Sequence, residues 1–389
     1  MMFYQWLRKA AAIVPCFFLF ACTGSLFSHI TGQNTPTITF EDDLAGNRLQ
    51  QAIQRSLNYL NKQPQDAQFS LNGQQIPVKR IIRSLNLLEK ILRHDLSPRE
   101  FQQEISRQFT LYQAAGLDKQ TTQGQMLVTG YFQPVLDGSL IKKPPYMYPL
   151  YEPPPYLIVR SAKESGEKSI VRYDGEHFTD YWSRKDIDSR GKAAGSELVW
   201  LKDPLDVFFL HVQGSGLIRL TDGSVRGIHY ATGNGRPYQS IGRFMVKTGK
   251  ISLHNASMET IRSYVTNHPR EQEKILFTNP SYIFFNWSRS HGAVGNLGQE
   301  LTAGRSIAVD QTLFPAGAPC FLLTKEPVIA HNTLSSWRSV HRFVLVQDSG
   351  SAIKGTGRVD LFQGTGKQAG LAAGAMKENG TLFFLLARE

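Results

Sequence analysis

Cysteine is nearly absent: Cys16, Cys22 and Cys320 are the three in 389 residues. So small a number excludes a disulfide-stapled scaffold. There is no Cys-x-x-Cys and no His-Glu-x-x-His, and the ten histidines are scattered without metal-ligand spacing, so neither a zinc site nor any other metal is expected. The glycine-rich Gly364-Thr365-Gly366-Lys367-Gln368 lacks the upstream glycine and the following Ser or Thr of a phosphate loop, and no Gly-x-Gly-x-x-Gly opens a helix. Gly214-Ser215-Gly216 does not have the spacing of a nucleophile elbow. Metalloprotease, nucleotide-dependent and serine esterase chemistries fall away, and no cofactor is expected. A composition 41% hydrophobic and 11% aromatic excludes both a disordered chain and a polytopic membrane protein.

Cations are in excess. The formal charge of +11 and a pI near 9.5 suit an acidic partner, whether nucleic acid, anionic lipid or a carboxylate-bearing cell wall. The N-terminus selects among these, because Arg8 and Lys9 precede the apolar run Ala10 to Ala21, which is too short for a membrane span and has the form of a secretory signal. It ends Leu19-Phe20-Ala21-Cys22, which resembles the bacterial lipobox, where cleavage precedes an acylated cysteine. A plain signal peptide with Cys22 incidental is the alternative. Thr23, in place of Asp, favours the outer membrane by analogy with lipoprotein sorting in enteric-type bacteria. Removing residues 1–21 takes away two cations and no acid, so the +11 becomes +9 and the basic balance belongs to the mature protein. Cys320, within Ala318-Pro319-Cys320-Phe321-Leu322, reads as a small core residue.

Residues 23 to about 40 are polar and rich in Thr, Ser and Gly, as in a tether. Three helical patterns follow. Leu49, Ile53, Leu57 and Leu60 share one face, and Ile81, Leu85, Leu88 and Leu92 share another. Ser97-Pro98-Arg99-Glu100 is a capping box with proline at the first helical position, leading into Phe101, Ile105 and Phe109. From about residue 127 the texture becomes short β-branched and aromatic runs between Gly and Pro, including Met126 to Phe132, Val207 to Val212, Phe343 to Val346 and Leu382 to Leu385. This predicts β-barrel architecture. The proline-rich stretch Lys143 to Pro155 is excluded from a central strand and is expected as a surface loop or interdomain connection. A helix pair around Met258 to Val265 and Glu271 to Phe277 is expected to mark a return between domains.

Three aspartates end or interrupt apolar strands: Asp310 after Val309, Asp348 after Gln347, and Asp360 between Val359 and Leu361-Phe362. A carboxyl flanked by Val, Leu and Phe is partly desolvated, which raises its pKa and suits it to general acid work. On the residues alone, the commoner role of such an Asp is to cap a turn or to pair with arginine. The runs Gln347-Asp348-Ser349-Gly350 to Gly355 and Arg358-Val359-Asp360-Leu361-Phe362-Gln363-Gly364 resemble the three-aspartate (3D) domain. Upstream, Gly130-Tyr131-Phe132-Gln133-Pro134 to Ser139, His211-Val212-Gln213-Gly214-Ser215-Gly216 and Asn279-Pro280-Ser281-Tyr282 to Phe285 are similar to the membrane-bound lytic murein transglycosylase A family, in the same order.

That resemblance, covering about residue 40 to 389, implies a mainly β fold with N-terminal helices: a double-psi β-barrel body with a smaller β-barrel domain inserted and the glycan in the groove between them. The corresponding division is a signal at 1–21, a tether at 22–40, body segments at 41–133 and 276–389, and an insert at 134–275. In the family the catalytic carboxyl precedes a hydrophobic residue, an aromatic and then, two positions on, a glycine. Here that is Asp360, with Asp348 supporting it and Asp310 structural. The implied reaction cleaves the bond between MurNAc and GlcNAc in peptidoglycan, with the sugar's own C6 hydroxyl as nucleophile and a 1,6-anhydromuramyl end as product. Tyr131, Gln133, Gln213, Ser215, Asn234 and Tyr238 are the candidate sugar contacts, with tight barrel turns as the other explanation of the Gly-flanked loops. Lys354 and Arg358 lie between the two acids, so a protonated Asp360 requires burial to outweigh their charge. The expected partners are peptidoglycan strands, the outer membrane through Cys22 at the periplasmic face, and wall-synthesis or division proteins, with no nucleic acid. A hydrolytic muramidase or glucanase, or a non-catalytic wall-binding lipoprotein, are the rival readings.

Overall fold

The computed structural model describes residues 27–29, 38–71, 74–117, 124–161, 168–254, 256–288, 290, 292–350 and 353–388. The signal, Cys22 and most of the expected tether lie outside these residues.

The N-terminal helices follow from their apolar stripes. Leu49–Leu60 buries Leu49, Ile53, Leu57 and Leu60, and Val78–Leu92 buries Ile81, Leu85 and Leu88. Each such side chain contributes about 1.5–3 kcal/mol on leaving water. Pro98–Gln108 begins at the expected capping box, with Ser97 and Glu100 each accepting from the other's backbone N–H.

These helices pack on a closed ring of six strands, in the order Met126–Gln133, Lys377–Ala387, Pro319–Ala330, Thr333–Asp348, Ser306–Ala308 and Arg358–Thr365, the last pairing again with the first. Arg358–Thr365 runs parallel to Met126–Gln133 and Ser306–Ala308 runs parallel to Thr333–Asp348, while the remaining pairs are antiparallel. This ring is the double-psi barrel expected from the sequence. Cys320 is fully buried in its core beside Phe321 and Val344. Two buried arginines tie the segment before the first helix to the barrel. Arg305 reaches both oxygens of Asp42 at 2.6 and 2.8 Å, and Arg342 bonds Asp43 and Glu326.

Between the first two barrel strands in sequence lies a second six-stranded sheet, ordered Ile283–Ser288, Val225–Gly233, Ser215–Leu220, Val135–Ser139, Glu197–Leu201 and Tyr148–Tyr151. It curls until its two edges pack through Tyr151 and Tyr282, whose rings are 6.3 Å apart. Ile283–Ser288 pairs with Val225–Gly233, so the chain returns to the barrel after Ser288, later than the expected 276. The proline-rich 143–155 stretch carries an edge strand, Tyr148–Tyr151, in keeping with its exclusion from the sheet centre.

One expectation is corrected. Val207 to Val212, read as a strand, lies in the helix Pro204–Gln213. Asp203 caps its start with a bond to the Leu205 N–H at 2.8 Å, Pro204 sets the first turn, and Gly214 in the left-handed region (φ 77°) ends it. Buried between the curled sheet and the helices Ile241–Lys247, Met258–Asn267 and Gln272–Leu276, it is apolar nearly all round and shows no stripe.

Candidate active site

Alternation along Arg358–Thr365 sends Val359 and Leu361 into the barrel core and turns Asp360 and Phe362 to its outer face. The parallel neighbour places Thr129 opposite Asp360 and Tyr131 opposite Phe362. Tyr131 and Phe362, with ring centroids 5.2 Å apart, pack with Ala293, Leu301 and Ala303 into a small apolar floor. Asp360 sits at the edge of this floor with its side chain 14% exposed.

Burial pushes the Asp360 carboxyl above its ordinary range, against the pull of the Arg358 charge and of hydrogen bonds from Thr129 and Arg358. The requirement posed by the sequence is met. Lys354 acts instead on Asp310. Both Thr129 Oγ1 and Arg358 Nε bond the same oxygen, Oδ1, the latter at 3.4 Å.

Asp348 ends the strand Thr333–Asp348 and is partly exposed. Its Oδ1 accepts from the backbone N–H groups of Asn296 and Ser349, both at 2.9 Å. Burial lifts its pKa from 3.8 to about 6, with the Asp360 charge adding to the rise and the N–H donors and Tyr131 opposing it. The buried Tyr131 hydroxyl faces both acids, and its own pKa is raised by burial and then by the charges of Asp348 and Asp360. It comes close to Asp348 without closing a well-formed bond. Asp310 is occupied elsewhere: it accepts from Thr312 N and Oγ1 at 3.2 and 2.7 Å and from Gly355 N at 2.9 Å. Those bonds and Lys354 outweigh burial and hold its pKa below the ordinary value. That is a turn-capping carboxylate, and the structure keeps it out of the Asp348–Asp360 pair.

The structure sorts the other sequence candidates. Tyr238, on the inserted domain, is 36% exposed, and although burial raises its phenol pKa, the charges of Arg184 and Arg358 both act to lower it. Gln213 and Ser215 flank Gly214 where the buried helix turns into its strand. Gln213 lines a cleft of about 180 Å³ at the domain junction, with Phe132, Pro134, Arg262 and Lys367. Gln133 is buried, its carbonyl oxygen Oε1 accepting from Thr365 Oγ1 at 2.9 Å. Asn234 is buried too, donating to Trp182 O and Pro280 O at 2.8 and 2.9 Å and accepting from Tyr282 N and Arg236 N at 2.9 and 3.3 Å. Its polar atoms are used inside the domain.

Two contributors escaped the sequence reading, Thr129 and the Asn296 backbone. Thr129 stands two residues before Tyr131, on the same side of its strand, and that alternation was the available signal. Nothing local marks Asn296. Among the described residues, no group of three or more His, Cys, Asp or Glu could hold a metal ion.

Barrel and acid pair define the class, a 3D-domain protein with a second β-domain inserted ahead of the aspartates. The profile of the MltA specific insert domain matches residues 127–286, and that of the 3D domain matches residues 305–386. A membrane-bound lytic murein transglycosylase A from Vibrio cholerae is 30% identical over 277 residues, 70% of this chain and 68% of its own. Among solved structures, a membrane-bound lytic murein transglycosylase from Agrobacterium tumefaciens is similar with a TM-score of 0.75 and 28% identity, covering 93% of this chain and 98% of its own. The Escherichia coli MltA with bound chitohexaose shares the fold with a TM-score of 0.72 at 24% identity, covering 95% and 97% of the two chains. The chain belongs to the membrane-bound lytic murein transglycosylase A family.

Proposed function

We propose that this chain is a peptidoglycan lytic transglycosylase in which Asp360 alone serves as acid and then base. The observation that carries the reading is the division of labour between the two carboxyls, both partly exposed: Asp360 is engaged by side chains at Oδ1 alone, while the Oδ1 of Asp348 is held by two backbone N–H groups. A glycosidase that works with water or a protein nucleophile needs two carboxyls flanking the scissile bond. Here the second has its Oδ1 committed to backbone N–H groups.

Because Thr129 and Arg358 both engage Oδ1, the proton of the neutral acid belongs on Oδ2. From there it passes to the glycosidic oxygen between MurNAc and GlcNAc as the C1–O bond breaks. The carboxylate left behind then takes the proton of the MurNAc C6 hydroxyl as its oxygen bonds to C1. The acid is regenerated, and the products are a free GlcNAc hydroxyl and a 1,6-anhydro end. Holding both reacting groups in one sugar supplies roughly 7–11 kcal/mol of effective molarity, which offsets the missing second carboxylate. Tyr238 and Gln213, across the junction from Asp360, are the side chains best placed to touch the glycan; Asn234 and Gln133 shape the walls.

The lipobox-like Cys22 and Thr23 support anchorage at the periplasmic face of the outer membrane, with wall-synthesis or division proteins as further partners. Mass spectrometry of muropeptides released from purified sacculi tests the reaction. Anhydro ends are expected. Reducing ends, one water heavier, would make the protein a hydrolase, and no release would make it a binding protein.

A further inference from the structure

The inserted domain ends, far from the acid pair, in a surface that the reaction does not use. Val135–Ser139 starts at the domain junction and runs away from it, and the loop that follows it, Leu140 to Met147, leads into the edge strand. Leu140 is 54% exposed, Ile141 68%, Met147 41% and Tyr148 40%. Four large exposed apolar side chains fall within nine residues of one loop, whereas isolated exposed apolar residues need no explanation.

The same loop carries Lys142 and Lys143, both exposed. Lys142 Nζ stands 5.0 Å over the Trp200 ring, and Lys202 Nζ stands 5.2 Å over Tyr146. Lys202 and Arg219 share one acid, Asp137, at 2.8 and 3.5 Å. The Leu140–Tyr148 loop itself carries two lysines and no acid.

We infer that the Leu140–Tyr148 loop docks on an anionic phospholipid surface, with Leu140, Ile141 and Met147 entering the headgroup boundary and Lys142 and Lys143 pairing with lipid phosphates. Apolar tips ringed by lysine, with Tyr and Trp at the same level, are the pattern that partitions into a bilayer interface. A protein partner would also accept the apolar patch, but the excess of lysine over acid selects a negatively charged surface. An anchor at Cys22 would not by itself fix the body's orientation, since it holds the chain at a single point, a few residues before Phe27–His29 pairs with the edge strand at Tyr112–Ala114. A second contact on the inserted domain does so, and turns the outward face of the barrel in one direction.

The test uses the full mature chain with Cys22→Ala, which carries no acyl group, in sedimentation with vesicles of phosphatidylethanolamine and phosphatidylglycerol or of phosphatidylcholine alone. The expected result is binding to the anionic vesicles, at least about tenfold weaker binding to the neutral ones, and loss of at least about tenfold with Leu140→Glu/Ile141→Glu. Lys142→Glu/Lys143→Glu is expected to lose binding most strongly at low salt. Thermal unfolding and digestion of sacculi in solution should be unchanged in both variants, which separates this contact from the catalytic reading. Wild-type vesicle binding by the Leu140→Glu/Ile141→Glu chain, or no vesicle binding by the parent chain, overturns the inference. So does a concentration-dependent dimer that the same variant abolishes.

Discussion

Thr129 donates its hydroxyl to Oδ1 of Asp360 across a parallel pair of strands that lie 231 residues apart in sequence. The bond stabilises the charged form of the acid and competes with the burial that favours the neutral one. Thr129→Val removes the donor at nearly constant volume, so the pKa of Asp360 should rise further. Since activity requires the protonated acid, the alkaline limb of the kcat/KM profile is expected to move to higher pH. The maximum rate should fall about 10- to 100-fold, because the proton is no longer confined to Oδ2. Thr129→Ser should restore both. A profile that stays in place in the Val variant would remove Thr129 from the acid's environment.

That relationship marks the limit of what the sequence discloses. Asp360 was legible as a desolvated carboxyl because Val359, Leu361 and Phe362 surround it, and the helical stripes at Leu49 and Ile81 announced their faces through a repeat of three to four. A parallel register between residues 129 and 360 leaves no local trace, since either strand accepts many partners on its pattern alone. The helix Pro204–Gln213 was misread because it is buried all round, and its Asp203-Pro204 start and Gly214 stop were the punctuation that separates it from a strand. Which of two sheets Ile283–Ser288 joins depends on contacts with Val225–Gly233 formed only in the folded chain.

Asp348 is raised from 3.8 to about 6 by burial, so its neutral form is favoured in the fold. The sign follows: the stability it contributes is fully present below the unfolded value and is lost as pH rises through about 6. Asp348→Asn cannot ionise. Its stability relative to the parent protein should therefore improve between pH 4 and pH 7, by up to roughly 3 kcal/mol. Urea unfolding at both pH values reads this directly, and parallel pH curves for the two proteins would contradict it.

The buried guanidinium of Arg305 depends on Asp42. Removing the acid by Asp42→Ala leaves an uncompensated charge in the barrel wall, and a loss of roughly 3–5 kcal/mol is expected. Burial pushes the Asp42 pKa up, but the bonds and charge of Arg305 and the N–H groups of Phe343 and Leu44 hold it below the usual range. Its contribution is therefore present above the unfolded value near 3.8 and disappears as pH falls through the lower folded one. The variant should converge on the parent protein in acid unfolding experiments. Its activity per folded molecule should be retained, since Asp42 has no contact with the acid pair.

Asn234 and Tyr238 are four residues apart and were equal candidates for sugar contact, yet their surroundings assign them opposite work. Asn234 makes four hydrogen bonds to backbone groups of three separate segments, so Asn234→Ala should lower stability by roughly 2–4 kcal/mol while leaving KM unchanged at temperatures where the protein is folded. Tyr238 is exposed enough for a sugar ring to lie against its face. Tyr238→Ala should leave the midpoint of thermal unfolding within a few degrees and raise KM for glycan about 3- to 10-fold, and Tyr238→Phe, which keeps the ring, should recover most of that loss if stacking dominates. The split is decisive because a wall residue and a ligand contact differ in which quantity they move. If Asn234→Ala raises KM without loss of stability, the wall role assigned to it fails; if Tyr238→Ala unfolds the inserted domain, so does the contact role assigned to Tyr238.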